Sequence, residues 1–118
     1  MSELETVLED LRVHDGVEHL LLLGRDGLLI HHSGGDGVDT ETVAALAPGL
    51  ASAGAALGDA AGRGEFSTAV LEWDAGVGVL ASVSSDTLLA ILLHPGVGFA
   101  PLLRSIRERR ADIAAIAG

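Results

Sequence analysis

The stretch Thr40-Glu41-Thr42-Val43-Ala44-Ala45-Leu46-Ala47-Pro48-Gly49-Leu50-Ala51-Ser52-Ala53-Gly54-Ala55-Ala56-Leu57-Gly58-Asp59-Ala60-Ala61 decides how this chain is read. Asp39 before it is a good N-cap, Thr40 and Glu41 suit a first turn, and Gly62 after it is a C-terminal stop. One long helix over residues 40–61 is expected, with Pro48 kinking it or shifting its hydrogen bonds. At helical spacing, Val43, Leu46, Leu50, Ala53 and Leu57 form one stripe, expected to pack on a sheet. Opposite and beside it lie the small residues Ala44, Ala47, Ala51, Ala55 and Gly58. Only a narrow strip is polar, carried by Glu41, Ser52 and Asp59. A helix apolar nearly all round should be buried nearly all round. A chain of 118 residues can cover one side of it. Small residues let a second backbone approach closely, so a symmetry mate laying its own copy alongside is the expected completion. The plainer alternative is a helix rich in Ala because Ala favours helices.

On the N-terminal side, residues 17–23 form an apolar run with β character. Gly24-Arg25-Asp26-Gly27 is a turn signal, and residues 28–32 are the return strand of a hairpin. The loop Ser33-Gly34-Gly35-Asp36-Gly37 then leads into the long helix. Ahead of the hairpin, Ser2 and Glu5 pair as a capping box, and Leu4, Val7, Leu8 and Leu11 follow at helical spacing. On the C-terminal side, residues 65–73, 77–84 and 87–93 read as three strands. The tight turns Asp74-Ala75-Gly76 and Ser84-Ser85-Asp86 force antiparallel neighbours. Pro101 suits the first turn of a last helix running to residue 117. The expected fold is α/β in the order α-β-β-α-β-β-β-α. It is a single domain over residues 1–118, with one five-stranded, largely antiparallel sheet flanked by helices. The strand after the long helix holds Phe66 and Trp73 and would be a hazard at a sheet edge unless paired. Self-pairing there would run one sheet through a dimer built on the third strand and second helix.

Composition narrows the function classes. Aromatics make up 3% of the chain, leaving little stacking surface for bases or sugars. Seventeen Asp and Glu stand against seven basic residues, every one an Arg, for a net charge of −10. Nucleic acids and anionic membrane surfaces need the opposite sign. No Cys is present, so there is no disulfide or thiolate chemistry. The acidic start Met1-Ser2-Glu3-Leu4-Glu5 lacks a signal-peptide pattern. The uncharged stretches are broken by Pro and Gly. A cytoplasmic protein with no direct membrane insertion is expected.

Catalytic and ligand motifs are missing from the sequence. His31 and His32 are adjacent in a strand and point to opposite faces, with His19 a candidate neighbour of one of them. His14 and His94 stand alone at element ends, and no spacing matches a metal site. The glycine-rich loop at 33–37 lacks the Lys-Ser/Thr of a phosphate loop, and Asp36 and Asp39 would repel phosphate. Arg104, Arg107, Arg109 and Arg110 share their helix with Glu108 and Asp112 and read as a solvated face. No cofactor, no metal, no small-molecule substrate and no stand-alone enzymatic activity are expected. A ligand-sensing role would have to use the His19, His31 and His32 region.

The order of elements resembles the roadblock superfamily of dynein light-chain-type domains. The resemblance is carried by the hairpin from Gly16 to Ile30, the small-residue helix from Ala44 to Ala60, Thr68-Ala69-Val70-Leu71-Glu72, and Thr87-Leu88-Leu89-Ala90-Ile91-Leu92-Leu93 followed by a Pro/Gly break and a helix. The resemblance implies dimers with a sheet continuous across the interface and the second helices side by side. It also implies that bacterial members partner small Ras-like GTPases, some of them stimulating GTP hydrolysis and others acting as scaffolds. The expected role is therefore a homodimeric regulatory or adaptor module for such a GTPase, or else a structural scaffold in a sensor or motor complex. Ala44, Ala47, Ala51, Ala55, Phe66, Thr68 and Val70 are the expected dimer contacts. Glu41, Ser52 and Asp59 are the expected partner-binding rim.

Overall fold

Leu20, Leu21, Leu22 and Leu23 are all fully buried, so consecutive side chains pointing to opposite faces of one strand are both covered. That strand, β1 (Val17–Gly24), therefore lies inside a sheet with packing on both sides. The computed structural model describes residues 2–117; Met1 of the acidic N-terminus and Gly118 lie outside the described residues. The elements are α1 (Glu3–Arg12), β1, β2 (Leu29–Gly34), α2 (Thr40–Ala60), β3 (Thr68–Trp73), β4 (Gly76–Ser82), β5 (Thr87–Leu93) and α3 (Ala100–Ala117). Their order is the one expected from the sequence. The five strands form one sheet in the order β2-β1-β5-β4-β3, every neighbour antiparallel. β2 and β3 are its two edges.

The two faces carry different helices. Leu20, Leu22, Leu89, Ile91 and Val79 pack with Leu8 and Leu11 of α1 and Leu102, Ile106 and Ile113 of α3. Each such aliphatic side chain contributes about 1.5–3 kcal/mol on burial. Arg109 of α3 pairs with Asp10 of α1, and Arg12 Nη1 donates to the Val17 carbonyl at 2.8 Å. Ser2 caps α1 by accepting from the Glu5 N–H at 3.1 Å. On the other face, Leu21, Leu23, Leu80, Leu88 and Ala90 lie under α2.

α2 corrects the sequence reading. The leucine stripe was expected on the sheet, but Ala44 and Ala51 make that contact, with 0% and 1% of their surface exposed. Leu46 and Leu57 are 70% and 71% exposed. A helix laid directly on a sheet of leucines is held close only by small side chains, so the alanine face goes down and the leucines are turned out. Ala44 and Ala51 therefore cannot meet a second copy. α2 runs unbroken through Pro48, and Gly27 of the β1–β2 turn sits against Ala44 and Ala45, where Pro48 leaves the Ala44 carbonyl without its helical donor. By length and composition alone α2 could cross a membrane.

Strand limits differ modestly from expectation. β3 opens at Thr68, not at residue 65, because Phe66 leaves the ladder to pack on α2, where a Cβ on Gly54 would come within 2.8 Å of its ring. β4 ends at Ser82, since the Ser84 hydroxyl accepts from the Asp86 and Thr87 N–H groups and makes a turn.

Candidate protein-interaction surface

At its N-terminus α2 is held by Asp39, whose carboxylate accepts from the Thr42 N–H at 3.2 Å and the Thr42 hydroxyl at 2.6 Å. Those bonds hold the Asp39 carboxyl below its usual range, the side-chain bond first and the backbone bond second. The helix so fixed presents three different stripes. Ala44 and Ala51 face the sheet; Leu46, Leu50 and Leu57 face outward to one side; Glu41, Ser52 and Asp59 are exposed on another.

The leucine stripe overhangs an apolar groove of about 360 Å³. Its floor is the β3–β4–β5 surface that α2 leaves uncovered, including Leu71, Leu80 and Trp73, and its wall is Val43, Leu46 and Leu50. Trp73 is 55% exposed there. Beside the groove runs the open edge of β3. The Ser82 N–H donates to the Ser67 carbonyl at 2.8 Å, and Thr68 is registered with Ala81. Antiparallel alternation then turns the backbone groups of Thr68, Val70 and Glu72 away from β4 and out of the sheet. An exposed leucine stripe, an apolar groove and a free strand edge thus adjoin one another.

The expected contact residues divide accordingly. Thr68 and Val70 lie on the open edge, Ala47 is half-buried against the core under α2, and Ala55 is exposed. Phe66 is half-buried and covered by Gly54. Sequence reasoning missed Leu46, Leu50, Leu57, Leu71 and Trp73. The heptad-like spacing of the leucines was visible, but which stripe meets the sheet was not.

The histidines form a separate cluster. His19 Nδ1 and His32 Nε2 are 3.2 Å apart, with the rings within 14° of parallel. Gly34, at φ +146°, makes room for the His19 ring; a Cβ there would stand 2.4 Å from Nδ1. His32 titrates below the ordinary histidine value because of burial first, then the nearby His19, His31 and Arg12. His31 lies on the opposite face, paired with Leu22. Among the described residues no three His, Cys, Asp or Glu side chains gather as a metal-ligand group.

A family model for the Roadblock/LC7 domain matches residues 3–93. The chain belongs to the Roadblock/LC7 family. Solved roadblock structures superpose on it over nearly its full length. Myxococcus xanthus MglB does so with a TM-score of 0.87 at 19% identity, covering 99% of this chain and 96% of MglB. A Roadblock/LC7 domain from Streptomyces avermitilis gives 0.85 at 25% identity, covering 98% of each chain. The gliding protein MglB from Thermus thermophilus gives 0.85 at 21% identity, covering 97% of this chain and 87% of that one. No curated protein matches the sequence. This roadblock chain thus shares a backbone with MglB, while its side chains are largely its own.

Proposed function

We propose that this roadblock chain is a homodimeric regulatory or adaptor module, not a stand-alone enzyme. In this reading it binds a small Ras-like GTPase in the cytoplasm and modulates its GTP cycle or localisation. The observation that carries the proposal is the apolar leucine stripe of α2 beside the open edge of β3. An edge strand with free N–H and C=O groups next to apolar surface is a liability unless it is paired.

A two-fold axis through Val70 satisfies both features. Antiparallel self-pairing then sets Val70 against its own copy and Thr68 against Glu72, so the two Glu72 carboxylates stay apart. The leucine stripe of each α2 closes the Trp73 groove of the other copy. Ala47, Ala55 and Phe66 fall at the margin of this interface. The paired helices leave Glu41, Ser52 and Asp59 on an acidic rim for the GTPase. Family membership supports the choice of GTPase as partner.

The test is light-scattering mass of the purified chain, alone and mixed with a cognate Ras-like GTPase carrying a GTP analogue. Twice the chain mass of 12.0 kDa, rising only with the GTP form, is the expected result. A monomer indifferent to either nucleotide form overturns the reading. A complex that leaves GTP hydrolysis and GTPase localisation unchanged makes the chain a structural scaffold instead.

A further inference from the structure

Away from the leucine stripe, a second groove of about 830 Å³ opens between the C-terminal end of α2, the approach to β3 and the β4–β5 turn. Its lining mixes Ala55, Phe66 and Val83 with charged and hydroxyl side chains, whereas the Trp73 groove is almost wholly apolar. Two guanidinium groups reach it from different layers of the fold, Arg25 from the β1–β2 turn and Arg110 from α3.

Each is held by neutral oxygens rather than by acids. Arg25 donates from Nη2 to Ser82 Oγ at 2.6 Å and from Nε to the Ser84 carbonyl at 3.1 Å. Arg110 donates from Nη1 to Ser67 Oγ at 2.9 Å and from Nη2 to Thr68 Oγ1 at 3.0 Å. Ser67 and Ser82 are themselves joined across the strands by the Ser82 N–H to Ser67 carbonyl bond, so the anchoring hydroxyls of the two arginines sit on neighbouring backbone. Among the described residues neither arginine forms an ion pair, although acids outnumber bases 17 to 7. Arg110 Nε is buried with no partner.

We propose that this groove binds a phosphate monoester between Arg25 and Arg110, either as a free small molecule or as a phosphorylated side chain. Two preorganised planar forks suit a compact dianion, which accepts several charge-assisted hydrogen bonds at once. The serine and threonine hydroxyls that now accept from the arginines can rotate to donate to the same oxygens. Asp59 and Glu65 line the same groove. They disfavour extended polyanions and favour a ligand whose phosphate is followed by a cationic group.

The experiment titrates the full chain with inorganic phosphate, with phosphoserine, and with a phosphoserine peptide carrying a lysine beside the phosphate. Sodium chloride at matched ionic strength is the control. The readout is the Arg25 and Arg110 side-chain Nε–H resonances, followed together with the melting temperature. Saturable shifts at both arginines are expected, weakened roughly tenfold in Arg25→Lys and Arg110→Lys, which keep the charge but lose the fork. Asp59→Asn should tighten inorganic phosphate. A peptide that binds more tightly than phosphoserine assigns the ligand to a partner's modified side chain; equal or weaker binding assigns it to a small molecule. Linear shifts matched by chloride, or binding unaltered in both lysine variants, overturn the proposal. Arg104→Gln, on the exposed side of α3, keeps the test sound if a lysine variant loses stability, since it should bind phosphate as the parent does.

Discussion

Trp73 and Gly78 occupy the same patch of sheet: a Cβ on Gly78 would stand 2.7 Å from the Cη2 and Cζ3 atoms of the indole. They are diagonal neighbours, because Trp73 is registered with Gly76 and Gly78 with Leu71. The missing side chain lets the indole lie across β4 and form part of the floor of the apolar groove. Trp73 is the one tryptophan of the chain, so all indole emission comes from the edge of that groove. Self-association that closes the groove should move the emission to shorter wavelength as protein concentration rises. Gly78→Ala, by lifting the ring, should weaken association. Emission that stays constant while the scattering mass changes would place the interface elsewhere.

Substitutions on the two faces of α2 should have opposite consequences. Leu46→Glu puts a charge on a side chain that is 70% exposed, so the monomer should keep its helix content and melting temperature while the dimer is lost. Ala51→Leu places a larger side chain where 1% of the surface is free, against Leu80 and Leu88. Overpacking of that kind costs about 1–3 kcal/mol, so thermal unfolding should occur at lower temperature. Circular dichroism melts paired with sedimentation separate the two effects. A folded Leu46→Glu chain that remains dimeric contradicts the proposed interface.

Much of the fold was legible because its signals are local. The hairpin turn at Gly24 to Gly27, the caps at Ser2 and Asp39 and the apolar run through residues 87–93 each depend on near neighbours in the chain. The orientation of α2 is a long-range property. Whether its alanines or its leucines meet the sheet depends on how near the sheet the helix axis comes, and Leu21, Leu23 and Leu88 decide that from distant positions. The sequence left the edge position of Thr68 and Val70 as a condition, and the strand order β2-β1-β5-β4-β3 meets it. Arg25 and Arg110 are 85 positions apart in sequence, and nothing local brings them to one groove.

The histidine pair predicts how stability changes with acid. His32 titrates below 6.5 in the folded chain, so the unfolded chain takes up its proton first as the pH falls. Above that value both states are neutral and the pair costs nothing. Below it stability declines until the folded His32 is itself protonated. Protonating both rings also replaces the N–H to N contact between His19 and His32 with two opposed donors. The melting temperature should therefore fall as the pH drops below the ordinary histidine value of 6.5, and His32→Gln should flatten that fall. A variant with the parent's pH profile would show that the pair plays no part in it.

The backbone at the β3 edge gives the most direct test of strand pairing between copies. Val70 turns its N–H out of the sheet, whereas Leu71 directs its own toward β4. Proline has no N–H and is tolerated in a sheet only where that group faces outward on an edge. Val70→Pro should therefore leave the β3–β4 ladder paired and the chain folded while preventing β3 from pairing with another copy. Leu71→Pro should break the ladder and lower the melting temperature. Hydrogen exchange of the Gly78 and Leu80 amides reads the integrity of the ladder, and scattering mass reads the dimer. A folded Val70→Pro chain of monomer mass fits a sheet continuous through the dimer. If that chain is folded and still dimeric, the copies associate through α2 alone, and the β3 edge is open for a different partner.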